Sequence, residues 1–199
     1  MSLIPVFEIG VWNAWIFWAL MFLSMIIPDL FMSKEAKLRK KRGSQWIPLK
    51  KKRDVILTQL THVAIMPVSI VYSIFLPLKL GTAWFYAGLV ILIAALVIGT
   101  MAIIEFSNTP IDQPITSGVY RISRHPLYLG GFLINLSIAI AGASWIILLC
   151  AILWIVFFHI ATPSEESYLI DQYGDKYRDY LNRTPKWLGW QKSGKDLIE

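Results

Sequence analysis

Charged residues are scarce in this chain. Asp, Glu, Lys and Arg make up 16% of its 199 residues, whereas a typical soluble domain has about 25%. Charged residues are missing mainly from long apolar runs, and hydrophobic residues make up 56% of the chain. This pattern excludes an ordinary soluble domain and predicts a polytopic membrane protein. Nine Trp, eight Tyr and ten Phe suit aromatic belts at the two membrane interfaces.

Cysteine is scarcer still, because Cys150 is the only one. An intramolecular disulfide is therefore excluded, and the position of Cys150 inside an apolar run favours a packing role. We expect no metal site. We also expect no nucleic-acid partner, because the one strongly basic segment lies between two apolar stretches with no nucleic-acid-reading module beside it.

Basic residues, by contrast, are concentrated in one segment. Ten of the 19 lie between Lys34 and Arg53, and only Glu35 offsets their charge there. Such a segment is typical of a cytoplasmic loop under the positive-inside rule. Binding of anionic lipid headgroups is a second interpretation, compatible with the first. The ten residues are Lys34, Lys37, Arg39, Lys40, Lys41, Arg42, Lys50, Lys51, Lys52 and Arg53.

Five apolar stretches predict an all-α fold with five transmembrane helices. Three of them are about 20 residues long, enough to cross the hydrocarbon core, and Pro67 and Pro77 are expected to kink and to end the second. The last apolar run is too long for one span and is broken near Gly142. It therefore predicts a hairpin of two short helices, of about 15 and about 16 residues. The approximate ranges are 11–32, 55–78, 83–104 and, for the hairpin, 127–160.

The charge distribution sets the predicted topology. If the basic loop of residues 33–54 is cytoplasmic, the N-terminus lies outside, and five crossings place the C-terminus in the cytoplasm. The connector of residues 105–126 and the polar tail after Thr162 then share the cytoplasmic side. We expect the chemistry on that side.

The connector ends in Arg124-His125-Pro126. Pro126 suits the first turn of a helix, so His125 is predicted at or beside the N-cap of the fourth span. Free N–H groups and the helix dipole favour an anionic ligand there, such as a cofactor carboxylate, and Arg124 adds a formal charge. The alternative is that Arg124 reaches lipid phosphates and His125 merely caps the helix.

The tail opens with Thr162-Pro163-Ser164-Glu165-Glu166. Thr162 stands three residues before Glu165 with Pro163 between them, which predicts a capping box at the start of a cytoplasmic helix. The capping box would account for Glu165 structurally. It leaves Glu166 as the better candidate for holding a ligand. Gly174 is expected to interrupt or bend this helix.

Polar residues also occur inside the apolar stretches. Thr58 and His62 share one face of the second span, and Asn135 lies in the fourth. At such depths they mark either a buried site or a helix–helix hydrogen bond, and the sequence leaves both open. In the tail, a stripe at helical spacing either packs on the membrane domain or lines a cofactor pocket: Leu169, Tyr173, Tyr177 and Leu181.

Several motifs recur in a recognisable order: Gly118-Val119-Tyr120, Arg124-His125-Pro126-Leu127-Tyr128, Glu165-Glu166, and Tyr173-Gly174-Asp175-Lys176-Tyr177 with Tyr180. Together they resemble the isoprenylcysteine carboxyl methyltransferase family, which shares its pattern with membrane phospholipid methyltransferases. The likeness covers residues 105–185. It is specific, because the separated motifs flank an apolar hairpin of matching length. The first three spans match only in character.

The resemblance implies one membrane methyltransferase domain over residues 1–199, with three spans in 1–104 and a cofactor-binding part in 105–185. It implies that S-adenosylmethionine is the cofactor and that residues 112–115 lie along its adenosine. The implied partners are membrane lipids and a lipophilic methyl acceptor. Glu166 would hold the polar end of the cofactor, and the residues around it would be Tyr120, His125, Pro126, Leu127 and Tyr128.

The catalytic candidates are His125, Arg124 and Glu165. Methyl transfer to an anionic acceptor depends mainly on positioning. An ammonium acceptor must first lose a proton, which His125 or Glu165 would take. Family members that act on prenylated cysteine usually have an Arg five residues before the cofactor-binding Glu, and Ala161 stands there in this chain.

Because of Ala161, prenylcysteine carboxylates are expected to be poor acceptors unless Arg121 or Arg124 supplies the counter-charge. Two other classes of protein remain open at this point. Membrane sterol reductases share a similar C-terminal pattern and use a reduced nicotinamide cofactor, although they are usually far longer. A non-enzymatic membrane subunit or lipid-binding scaffold would bind no cofactor.

Overall fold

The computed structural model describes residues 8–43, 49 and 51–191, and within them the fold is all-α, as predicted. One isolated antiparallel bridge joins Asn13 and Pro77. Residues 44–48 and Lys50 of the predicted basic loop lie outside the described residues. The helices are α1 Trp15–Phe31, α2 Lys34–Gly43, α3 Lys52–Ile74, α4 Ala83–Asn108, α5 Pro126–Ala141, α6 Trp145–Tyr173 and α7 Asp175–Arg183, with a 3₁₀ turn at Gly118–Arg121.

Three of the described helices are long and apolar enough to cross a membrane. They are α3 with 23 residues, α4 with 26 and α6 with 29. The apolar helices α1 and α5 are shorter, with 17 and 16 residues. The chain therefore has the helices of an integral membrane protein. A total of five crossings remains a prediction.

Helix α3 is irregular at its centre. A π-helical turn occupies Thr61–Ile65, in which the Met66 N–H donates to the Thr61 carbonyl five residues earlier. Pro67 follows directly, and its missing N–H leaves the preceding turn without a donor. The irregularity predicted at Pro67 thus takes the form of a π turn. The helix ends at Ile74, before Pro77.

The hairpin begins as predicted and continues further. His125 is the N-cap residue of α5 and Pro126 lies in its first turn. After the turn that follows Gly142, the Ser144 hydroxyl accepts from the Ile147 N–H at the start of α6. Helix α6 then runs without interruption to Tyr173. The expected length of about 16 residues for this helix is therefore wrong.

The predicted capping box at Thr162 is also wrong, because Thr162 lies inside α6. Its hydroxyl donates to the Phe158 carbonyl at 2.8 Å, as in a helix interior. Pro163 cannot donate to the carbonyl of His159 four residues earlier. The Lys186 ammonium donates to that carbonyl instead, at 2.9 Å. A residue distant in sequence thus allows the helix to continue through the proline.

Small residues bring the helices close together. A Cβ on Gly88 of α4 would lie 2.6 Å from the Ala141 Cβ of α5, so only glycine fits this crossing. A Cβ on Gly131 would lie 2.1 Å from the Trp154 ring of α6. Between α3 and α5, the buried Ser69 hydroxyl donates to the Asn135 side-chain oxygen at 2.5 Å. Of the two interpretations of Asn135, the helix–helix hydrogen bond is the one observed.

The tail folds back on the membrane helices. Gly174, at φ 61°, separates α6 from α7 and so interrupts the helix as predicted. Tyr177 and Tyr180 of α7 are buried against Tyr120, and the Tyr180 hydroxyl donates to the Tyr120 carbonyl at 2.7 Å. After α7 the chain returns to the connector, where the Arg124 N–H donates to the Pro185 carbonyl at 3.0 Å.

Candidate functional site

A cavity of about 770 Å³ lies where the connector meets α3, α5, α6 and α7. This volume falls within the range of small-molecule sites. The described residues that line the cavity include every predicted site residue except Glu166. Those predicted residues are Tyr120, Arg124, His125, Pro126, Leu127, Tyr128 and Glu165.

Helix α6 presents its cavity residues as one continuous stripe. Phe158, Ala161, Thr162, Glu165 and Leu169 all line the cavity, at the i, i+3, i+4, i+7 and i+11 spacing of a helix face. Because successive helix residues point about 100° apart, Glu166 falls beside this stripe. Glu165 is therefore the glutamate that faces the cavity.

Glu165 is held by Tyr128 of α5. The Tyr128 hydroxyl donates to its Oε2 at 3.0 Å. With the capping box absent, this carboxylate is available to a ligand. A half-buried carboxylate beside aromatic rings is suited to a cationic ligand group.

Glu166 lies in a cluster of charges behind the cavity wall. Its Oε1 is 3.0 Å from both Arg124 Nε and His125 Nε2. The three side chains are only 12%, 13% and 3% exposed, respectively. The Arg124 Nη1 also donates to the Leu181 carbonyl at 2.7 Å. Glu166 thus fixes Arg124 and His125, two side chains that line the cavity.

Aromatic rings form much of the remaining wall. The Tyr128 and Phe158 rings stack at 3.9 Å, and His125 stacks on Tyr128 at 5.7 Å. Burial raises the pKa of Tyr120, Tyr177 and Tyr180 well above the usual tyrosine value. These three cavity-lining residues therefore remain neutral.

The structure brings further residues to the cavity that the motifs did not include. Arg39 of α2 lines it and donates to the Asn108 carbonyl at 3.3 Å. Thr58 and His62 of α3 also line it, so this pair faces the cavity. In the sequence, Thr58 and His62 could be identified as candidates because they share one helix face. Nothing in the sequence distinguished Arg39 from the other nine basic residues of its cluster.

The position of Ala161 bears on the acceptor. Ala161 is 3% exposed and lines the cavity, so the wall at this point is apolar. Of the two arginines considered as substitutes, Arg124 lines the cavity and is paired with Glu166. Arg121 is exposed and is not among the described lining residues.

Comparison with known proteins matches residues 80–176 to the phospholipid methyltransferase family model. The chain is 33% identical over 76 residues to the protein-S-isoprenylcysteine O-methyltransferase of Schizosaccharomyces pombe, covering 37% of this chain and 32% of that protein. It is 35% identical over 97 residues to the mouse (Mus musculus) protein of the same name, covering 47% and 33%. It is 35% identical over 75 residues to methanethiol S-methyltransferase 1 of Bradyrhizobium diazoefficiens, covering 38% and 26%.

Fold and site together define a helical membrane protein with a polar and aromatic cavity between its helices. Residues 80–176, which contain α4, α5 and α6, match the phospholipid methyltransferase family model. The resemblance to isoprenylcysteine methyltransferases is confirmed by the matched relatives. The chain spans about a third or less of the length of these relatives, and α1, α2 and α3 lie outside the family match.

Proposed function

We propose that this protein is a membrane methyltransferase that uses S-adenosylmethionine and acts on a lipophilic or prenylated acceptor. The observation that carries the proposal is the meeting of two motifs about 40 residues apart at one cavity, with Arg124 and Glu165 both in its wall. The family match of residues 80–176 supports the same conclusion.

The cavity residues fit the charges of S-adenosylmethionine. Its carboxylate matches Arg124 and the N-terminal turn of α5, whose first N–H groups favour an anion. Arg124 Nε is buried and lies 3.0 Å from Glu166 without the alignment of a hydrogen bond, so it retains donor capacity. The ammonium of the ligand matches Glu165. The Tyr128 and Phe158 rings suit a sulfonium, because ring faces attract cations.

When bound, S-adenosylmethionine supplies a methyl group on a positively charged sulfur with a neutral leaving group. The protein contributes mainly position and exclusion of water. Glu165 orients the ligand, and Glu166 acts behind it by holding Arg124 and His125 in place. Direct binding of the cofactor by Glu166, as implied by the resemblance, would require Glu166 to leave Arg124 and His125.

The proposed topology places the site at the cytoplasmic face. Helix α2 carries most of the basic cluster and packs near the end of α4, where Arg39 donates to Asn108. A basic helix on the site's side of the membrane favours a cytoplasmic location. The cofactor then enters from the cytosol, while membrane lipid surrounds the apolar helices and delivers the acceptor.

Isothermal titration of the purified full chain tests the proposal. S-adenosylhomocysteine is expected to bind and NADPH is not. Glu165→Gln is expected to weaken S-adenosylhomocysteine binding by about 1.5–3 kcal/mol, the range for a charge-assisted hydrogen bond. Asp179→Asn, which changes an exposed carboxylate on α7, serves as the matched control and should leave the affinity unchanged. Binding of NADPH alone would favour a reductase, and binding of neither would favour a scaffold.

A methyl-transfer assay then identifies the acceptor class. Radiolabelled S-adenosylmethionine is supplied with a panel of farnesylated cysteine, phosphatidylethanolamine and alkanethiols. Label in any acceptor supports an enzyme. A chain that binds the cofactor and labels no member of the panel would contradict the proposed acceptor range.

A further inference from the structure

His62 lies at a structural irregularity that faces the cavity. It belongs to the π turn Thr61–Ile65 of α3 and lines the cavity together with Thr58. Single π turns inside α-helices are rare and occur frequently at functional sites. Helix α3 lies outside the family match of residues 80–176, so that match assigns no role to His62.

The hydrogen bond of His62 fixes its tautomer. Its Nδ1 lies 2.8 Å from the Thr58 carbonyl oxygen. A carbonyl oxygen only accepts, so Nδ1 must carry the proton. In the neutral ring Nε2 is then the basic nitrogen. This arrangement, a backbone carbonyl orienting an imidazole, is the one that prepares a histidine to accept a proton.

Rings connect His62 to the Glu165 end of the cavity. The His62 and Phe158 rings meet edge to face at 5.7 Å, and Phe158 stacks on Tyr128, which donates to Glu165. His62 is therefore two rings away from the carboxylate proposed to hold the methyl donor. An acceptor placed beside His62 lies within the same cavity as the donor.

The described residues of α3 that line the cavity, Thr58 and His62, carry no fixed charge. The charged side chains among the described lining residues are Arg39, Arg124 and Glu165, and none of these is on α3. The α6 ring in contact with His62 is that of Phe158. An acceptor carboxylate beside Thr58 and His62 would therefore lose hydration without gaining a counter-charge from α3. A neutral acceptor that keeps the proton on its nucleophilic atom would avoid this penalty. It would then need a base to remove that proton during methyl transfer.

We propose that His62 is the base that takes the proton from an amine or thiol acceptor, and that such acceptors are the substrates of this cavity. The inference rests on the proposed methyltransferase function. In the step, the acceptor nitrogen or sulfur forms a bond to the methyl carbon while the carbon–sulfonium bond breaks. That bonding pair stays on the leaving sulfur, which becomes a neutral thioether. The acceptor's proton moves to His62 Nε2 and then to water.

The test compares His62→Gln with His159→Gln in the full chain. His159 is the matched control, because it is an exposed histidine on α6 that is not among the described lining residues. The acceptors are phosphatidylethanolamine vesicles, an alkanethiol and farnesylcysteine, so the amine and thiol arms are separate. His62→Gln is expected to lower kcat for the accepted amine or thiol by about 10²–10⁴-fold, the usual contribution of a general base. His159→Gln should retain wild-type kcat.

Two further measurements separate chemistry from folding. S-adenosylhomocysteine affinity, measured by titration, should be unchanged in His62→Gln, which shows that the donor site is intact. In His62→Ala, added imidazole should restore amine or thiol turnover, because it replaces the missing base. Unchanged turnover in His62→Gln, or turnover confined to farnesylcysteine, would overturn the assignment of His62 while leaving the methyltransferase proposal standing. A wild-type chain that binds no S-adenosylhomocysteine would overturn both.

Discussion

The cavity has two walls of different character. The wall formed by the connector, α5 and α6 lies within or beside the family match, and it contains Arg124, His125 and Glu165. The wall formed by α2 and α3 lies outside that match and contains Arg39, Thr58 and His62. In the proposal the first wall, the donor wall, holds the methyl donor, and the second, the acceptor wall, holds the methyl acceptor. The part of the chain that matches the family model would then bind the donor, and the unmatched part would choose the acceptor.

Both walls are fixed by partners distant in sequence. Behind the donor wall, Glu166 lies between Arg124 and His125, and within it the Trp154 N–H donates to the Tyr128 carbonyl at 2.9 Å. In the acceptor wall, Arg39 donates to the Asn108 carbonyl at 3.3 Å, and His62 contacts the Phe158 ring in addition to the Thr58 carbonyl of its own helix.

The largest expected effect comes from Glu166→Gln. It removes the one carboxylate that contacts both Arg124 and His125 at 3.0 Å. Removing one partner of a buried ion pair typically lowers the free energy of unfolding by about 3–5 kcal/mol. We expect about 3 kcal/mol here, because the three side chains keep some exposure to solvent. The readouts are the shift in Tm and the loss of S-adenosylhomocysteine affinity. Asp175→Asn, at an exposed pair with Arg178, is the control. Equal effects of the two changes would contradict the proposed positioning role.

Gly131→Ala is expected to have the next largest effect on stability. The added Cβ would lie 2.1 Å from Trp154, whose ring supports Tyr128 through its N–H. Overpacking of this kind costs about 1–3 kcal/mol. The neighbouring Gly130→Ala is the control, because its Cβ would meet its nearest atom at 3.6 Å. The control should be neutral or slightly stabilising, since Ala is the better helix former. A comparable loss of Tm in both variants would show that the Trp154 contact is not the cause.

Ala161→Arg tests the acceptor wall. A cation at this apolar position would face the carboxylate of farnesylcysteine. We expect kcat/KM for that acceptor to rise about tenfold, equivalent to 1.4 kcal/mol of recovered interaction. Ala161→Met, of similar length and without charge, is the control. Efficient wild-type turnover of farnesylcysteine would show that Arg39 or Arg124 already supplies the charge.

Arg39→Gln should have the smallest effect. Arg39 is 34% exposed and paired with Glu35 at 3.4 Å, and exposed ion pairs contribute about 0–1 kcal/mol. We expect S-adenosylhomocysteine affinity to fall by less than about fivefold, with the difference decreasing at high salt. Lys37→Gln on the same helix controls for general loss of charge. A loss of affinity as large as that of Glu165→Gln would indicate that Arg39 contacts the methyl donor directly.

The sequence predicted the donor wall well because its signals are local. Pro126 in the first turn of α5 and His125 at the N-cap follow from helix-start chemistry. The capping box that included Glu165 was wrongly predicted, because Thr162 and Pro163 resemble a helix start but lie inside α6. Lys186, donating to the His159 carbonyl, replaces the bond lost at Pro163. No local pattern indicates that contact.

The role of α3 could be predicted only in part. Thr58 and His62 at i and i+4 mark one face of the helix, but the same spacing describes a helix–helix hydrogen bond. Asn135 had the same signal and pairs with Ser69. Which polar residue faces a cavity and which faces a helix depends on how α3 packs against α5 and α6. The π turn before Pro67 also contributes to that placement.

The division between the two walls is tested most directly by titrating S-adenosylhomocysteine into Glu165→Gln and His62→Gln side by side. We expect Glu165→Gln to lose about 10–100-fold in affinity, the equivalent of about 1.5–3 kcal/mol. His62→Gln should bind as the wild type does. Equal losses in the two variants, or a loss confined to His62→Gln, would contradict the assignment of donor and acceptor to separate walls.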